Sequence, residues 1–131
     1  MTIQRLTNAE IALMELLWET SPLTARQIRE QLYEDSKKSQ HGTVQRLLQS
    51  LEEKGMVLRD RSLGIHLFSP TLSREAYGGR QLESLAQKLT GGSIAPLLTH
   101  LLESDKLDKA EINRLRKALG SVKGAERGKE T

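Results

Sequence analysis

Hydrophobic positions recur at helical spacing along most of this chain, and the period changes in one stretch only. Ile11, Met14, Leu17 and Trp18 fall on one face of a segment ending near Glu19, which predicts an amphipathic helix. Thr7 and Glu10 open it as a capping box: the hydroxyl accepts from the amide three residues on, and the carboxylate reaches back to the Thr amide. Leu6 and Ile11 flank the cap at the spacing of a hydrophobic staple, and Ser21-Pro22 stops the helix. The device recurs at Thr24 and Gln27, with Leu23 and Ile28 as staple, predicting a second helix from about Ala25 to Glu34 that buries Ile28 and Leu32. It recurs again at Asp108 and Glu111, with Leu107 and Ile112, predicting a helix over Lys109 to Leu119 that Gly120 ends.

Between them the polar run Glu34 to Gln40 reads as a loop, and His41 to Lys54 as a third helix, with Val44, Leu47, Leu48 and Leu51 on its apolar side and Gly55 as its left-handed terminus. The period then shortens. Met56 to Arg61 and Ile65 to Ser69 are β-prone, and Ser62-Leu63-Gly64 between them suits a hairpin turn with a left-handed glycine; Pro70 ends the second strand. A longer helix follows from near Ser73 to about Thr90, where Gly78-Gly79 predicts a kink or a start delayed to Arg80. Gly91-Gly92 break it, and Ser93 caps a short helix, about Ile94 to Glu103. The last eleven residues are polar and read as an unstructured tail.

Three helices followed at once by a β-hairpin is the order of a winged helix-turn-helix, so the fold class is mainly α. The expected organisation is a winged-helix domain over 1–72, a helical dimerisation region over 73–120 and a tail over 121–131. In a winged helix the third helix is the one that enters the major groove. Its face opposite Val44 carries Gly42, Arg46, Gln49 and Glu53, flanked by Thr43, Gln45 and Ser50, with His41 at the start. Arg suits guanine O6 and N7, and Gln suits adenine N6 and N7; Thr reaches a phosphate or a thymine methyl. Arg59, Arg61 and His66 on the hairpin are placed for phosphates beside the groove. A polar helix face is also what plain solvation produces, and winged helices serve as protein-interaction modules without DNA activity. Both readings stay open on these residues alone.

Composition narrows the field. The chain has 131 residues, 37% hydrophobic but 3% aromatic, with 23 leucines and no cysteine. Disulfides, zinc–thiolate sites and thiol switches are therefore excluded. The longest apolar run, Ile94 to Leu98 with a proline inside, is far short of the ~18 residues of a membrane span, and the N-terminus has no apolar signal core, so a cytoplasmic protein is expected. His41, His66 and His100 are scattered without a ligand spacing; no nucleophile motif or phosphate loop is present. The expectation is a non-enzyme with no metal and no cofactor. The net charge of +3 is small, and residues 1–82 hold 11 basic against 10 acidic side chains. Placement of charge rather than its total has to carry any affinity for a polyanion.

The C-terminal helices bear Tyr77, Leu82, Leu85, Leu89, Leu97, Leu98, Leu101, Leu102, Ile112, Leu115 and Leu119. Helices that follow a complete small domain have little of their own to bury these against. Pairing with a second copy would remove them from water at about 25 cal/mol per Å²; folding back on their own winged helix is the alternative.

Three stretches, LTNAEIALMELLWETSPLTARQIREQL, TVQRLLQSLEEKGMV and LLTHLLESDKLDKAEINRLRKAL, together with the hairpin ending in FSP, resemble the penicillinase-repressor family of bacterial transcription regulators (the BlaI/MecI/CopY group). The likeness covers about Leu6 to Leu119. It implies a homodimeric repressor whose winged helices each bind half of a palindromic double-stranded operator and whose C-terminal helices form the dimer interface. It places Thr43, Gln45 and Arg46 on the recognition helix, which here starts with Gln40-His41 where relatives often have an aromatic or Ser-Pro. In several relatives a membrane sensor-protease that responds to β-lactam leads to cleavage at an Asn-Phe bond, and the resemblance implies such a partner; the aligned pair here is His100-Leu101. Copper-responsive members use a C-terminal cysteine cluster, which a chain without cysteine cannot form.

Overall fold

A computed structural model describes residues 5–33 and 39–122. Most of the expected loop (residues 34–38) and nearly all of the expected tail (residues 123–131) lie outside the described residues. The elements run α1 Asn8–Glu19, α2 Ala25–Leu32, α3 Ser39–Glu53, β1 Val57–Asp60, β2 Leu67–Pro70, α4 Arg74–Thr90, α5 Ala95–Glu103 and α6 Lys109–Gly120. The protein is mainly helical with one antiparallel hairpin, consistent with a winged helix.

All three capping boxes are present, with Thr7, Thr24 and Asp108 as caps and Glu10, Gln27 and Glu111 reaching back. Each satisfies two orphan amides at a helix start, which fixes where the chain turns. Gly55, Gly91 and Gly92 take positive φ (74°, 66° and 105°) and end α3 and α4 as expected. Gly120 does not: it is the last residue of α6, and Ser121 is the cap. Ser93 does not cap α5 either. That helix starts after Ile94 with no side-chain cap and with Pro96 in its first turn, where a missing N–H costs nothing. Gly78 and Gly79 lie inside an uninterrupted α4, whose start is capped by Ser73 through its hydroxyl and the Ala76 amide at 3.0 Å. The hairpin pairs Asp60 with Leu67, so six residues join the strands rather than three. Asp60 Oδ1 accepts from the Ser62 amide at 2.8 Å and Gly64 takes φ 82°, which turns the loop.

Close contacts divide the chain into two units, with the break between Leu85 and Ala86. The first unit has one core: Leu13, Met14 and Leu17 of α1, Ile28 of α2, Val44, Leu48 and Leu51 of α3, Met56 and Val57 at the hairpin's start, and Phe68. Phe68 anchors the hairpin twice, pairing with Arg59 in the ladder and exchanging backbone hydrogen bonds with Leu23 at 2.8 and 3.0 Å. Leu23 thus adds a short bridge to the sheet. Trp18 Nε1 donates to the Leu72 carbonyl at 2.8 Å, and the Leu6 amide donates to the Tyr77 hydroxyl at 3.1 Å. Tyr77 was expected on a dimer face; it is instead buried in this core beside Trp18, with ring centroids 6.1 Å apart. Its phenol gives the Leu6 amide a partner that burial would otherwise deny it.

The second unit is different in kind. Ala86 is its one buried residue among those described, and neither α5 nor α6 buries any. Leu97, Leu98, Ile112 and Leu115 are half-buried, whereas Leu89, Leu101, Leu102 and Leu119 are exposed.

Candidate nucleic-acid interface

The geometry of α3 follows from its two faces. Val44, Leu48 and Leu51 are wholly buried and Leu47 half-buried, so the helix is locked against α1 and α2 with its other side outward. That side presents Gly42, Gln45, Arg46 and Gln49, all exposed, with His41 and Thr43 half-exposed beside them. Among the described residues their polar ends make only long contacts: Gln45 with His41 at 3.3 Å, Arg46 with Thr43 at 3.5 Å, Gln49 with Glu53 at 3.5 Å. Hydrogen bonds of that length hold little, so these groups are available to an incoming ligand.

Ser50, expected with them, is committed elsewhere. Its hydroxyl donates to Glu10 Oε2 at 2.7 Å. Glu10 is 2% exposed, and its other oxygen accepts from Lys54 Nζ at 2.6 Å and the Thr7 amide at 2.8 Å. Burial alone would raise the Glu10 pKa, but the hydrogen bonds from Lys54, the Thr7 backbone, Ser50 and the Thr7 side chain outweigh it and lower the value to about 2. Glu10, the reaching-back member of the α1 capping box, therefore also clamps the C-terminal half of α3 from behind. The sequence pattern shows Glu10 as a cap and nothing more, because its second partners lie 40 and 44 residues away.

On the hairpin, Arg61 and His66 lie in the exposed loop. Arg59 does not. Its guanidinium pairs with Glu52 of α3, meets His66 Nδ1 at 3.2 Å and covers the Phe68 ring at 4.9 Å. Glu52 is thereby drawn into the contact between α3 and the hairpin. A shallow depression of about 340 Å³ lined by Trp18, Leu72 and Arg74 lies apart from these residues, and one of about 490 Å³ lies between the start of α2, Gln45 and the hairpin loop.

The remaining expected dimer residues are accessible in part or in full: Leu82 and Leu85 in the first unit are exposed, as are the four leucines of the second noted above. Among the described residues no cluster of His, Asp or Glu could hold a metal ion, and no helix is long and apolar enough to cross a membrane.

Residues 6–121 match the family described as penicillinase repressor. The chain is similar to the penicillinase repressor of Bacillus licheniformis, 24% identical over 113 residues that cover 86% of this chain and 88% of that protein. The match spans all six helices and the hairpin just described, and on that extent the chain belongs to the penicillinase repressor family.

Proposed function

We propose that the chain is a transcriptional repressor that binds a palindromic DNA operator as a homodimer, each first unit laying α3 in the major groove of one half-site. The observation that carries this is the outward face of α3. It combines donors and acceptors matched to base edges with an apolar back that fixes its orientation. Membership of a repressor family supports the same reading. Arg46 and Gln49 read bases, Gln45, Thr43, Gly42 and His41 complete the groove contact, and Arg61 and His66 meet phosphates. Ser50 and Arg59 support this surface from within.

Dimerisation rests on the leucines of α4 to α6. A unit whose described helices bury almost nothing of their own gains from a second copy covering Leu89, Leu97, Leu98, Leu101, Leu102, Ile112, Leu115 and Leu119; Leu82 and Leu85, exposed on the first unit, are further candidates for burial between copies. Two linked half-site contacts then multiply a weak single one. The organisation proposed is a DNA-binding part followed by a dimerising part, working in the cytoplasm. The family likeness brings a membrane sensor-protease as a further proposed partner, with His100-Leu101 in the place of the bond cut in such relatives.

Base discrimination tests the reading. Arg46→Ala and Gln49→Ala, each measured on a duplex selected by the full chain and on its shuffled counterpart, should each lose about 1–3 kcal/mol of preference. Unchanged preference in both would return α3 to a solvated face and favour a protein-interaction module.

A further inference from the structure

Arg59 looks by sequence like a phosphate contact of the hairpin, but its surroundings give it another task. Its side chain is 19% exposed and that of Glu52 30%. Three groups hold the guanidinium: the Glu52 carboxylate on α3, Nδ1 of His66 at the end of the loop, and the face of Phe68, its ladder partner. Its Nε is buried, with no partner among the described residues. Phe68 in turn is fixed by the backbone bridge to Leu23. One planar fork thus joins α3, both strands and the loop, which a flexible ammonium could not do at once.

The contact with His66 has a chemical consequence. A guanidinium only donates, so the Nδ1 it meets has to accept, and in the neutral ring the proton then sits on Nε2. His66 is exposed, so it offers one N–H donor in a defined direction.

Resting on the DNA reading above, we infer that Arg59 is a positioning residue: it latches the hairpin to α3 and holds His66 in the Nε2–H form, and His66, not Arg59, donates to a backbone phosphate.

The test has one arm without DNA and one with it. In the first, nitrogen-resolved NMR of the full chain, at a pH alkaline enough for the imidazole to be neutral, should show His66 Nδ1 unprotonated and Nε2 protonated, and Arg59→Lys or Arg59→Met should mix the tautomers and shift the hairpin resonances. In the second, affinity for a selected duplex is followed against salt. Arg59→Met should weaken binding about tenfold, the scale of losing hydrogen bonds to a charged group, while the slope of log affinity on log salt stays at the wild-type value. Arg61→Ala should reduce that slope by about one. Arg59→Lys keeps the charge, so it guards against a variant that fails to fold, and it should behave like Arg59→Met. A slope reduced by about one in Arg59→Met with hairpin resonances unmoved would make Arg59 a phosphate ligand and overturn the inference. So would a neutral His66 ring protonated at Nδ1, or unchanged affinity in both variants. If no duplex is selected the DNA reading fails, while the NMR arm still decides whether Arg59 latches the hairpin.

Discussion

Glu10 of α1 accepts a hydrogen bond from Lys54 Nζ, just past the end of α3, at 2.6 Å, in a site where Glu10 is almost wholly buried. The pair ties the first helix of the chain to the helix that presents the candidate interface. Its consequence is a stability that depends on acid. The folded-state pKa of about 2 lies below the ordinary 4.5, so Glu10 contributes fully above pH 4.5, and its contribution, about 3 kcal/mol at full strength, is lost as pH falls from 4.5 toward 2. Denaturant melts of the full chain at stepped pH should show this decline, and Glu10→Gln should flatten it while costing about 2–4 kcal/mol at neutral pH, since Lys54 loses its anion. A variant as stable as the wild type at pH 7 would contradict the clamp.

Phe68 is the joint between hairpin and core. It is 1% exposed, and its backbone is paired on both sides, with Arg59 and with Leu23. Phe68→Ala should destabilise the first unit by about 3–5 kcal/mol, the usual cost of a large aromatic lost from a packed site. It should also remove the ring that the Arg59 guanidinium covers. Chemical denaturation followed by the Trp18 fluorescence measures it.

Thr24 caps α2 through an exposed capping box, with its hydroxyl 3.1 Å from the Gln27 amide. Thr24→Ala should cost about 1 kcal/mol and leave the burial of Ile28 untouched. The effect on the melting midpoint should therefore be small beside that of Phe68→Ala.

The exposed leucines of α5 give a separate prediction about assembly. Leu101 and Leu102 are each 42% exposed. Leu101→Glu with Leu102→Glu places two charges on the proposed dimer face without removing any buried side chain. Sedimentation equilibrium of this full-length variant should give a monomer where the wild type gives a dimer, with the first unit still folded by Trp18 fluorescence. A variant that stays dimeric would place the interface elsewhere.

The helices were legible because their signals are local. The capping boxes at Thr7, Thr24 and Asp108, the glycine at Gly55 and the apolar stripe of Val44, Leu48 and Leu51 are written within a few residues of where they act. What the pattern misplaced depends on distant partners. Tyr77 falls on an apolar helix stripe, but its hydroxyl serves an amide 71 residues away. Ser50 sits on the polar side of α3, yet Glu10 claims it. Arg59 and Glu52, seven residues apart, meet because the chain reverses at Gly55. The Leu23–Phe68 bridge leaves no periodic trace, since a single residue has no period. Gly78 and Gly79 show the opposite error: a helix flanked by good formers and a Ser73 cap carries two glycines at a cost of about 1 kcal/mol each.

Sequence-specific binding of DNA by a dimer is measured by presenting the full chain with a pool of random duplexes at about 150 mM salt. The enriched sequence is then compared with its shuffled counterpart. The enriched sequence should be an inverted repeat with half-sites about one helical turn apart, bound with an affinity ratio of about a thousand or more. No enrichment, or equal affinity for the two duplexes, would contradict it.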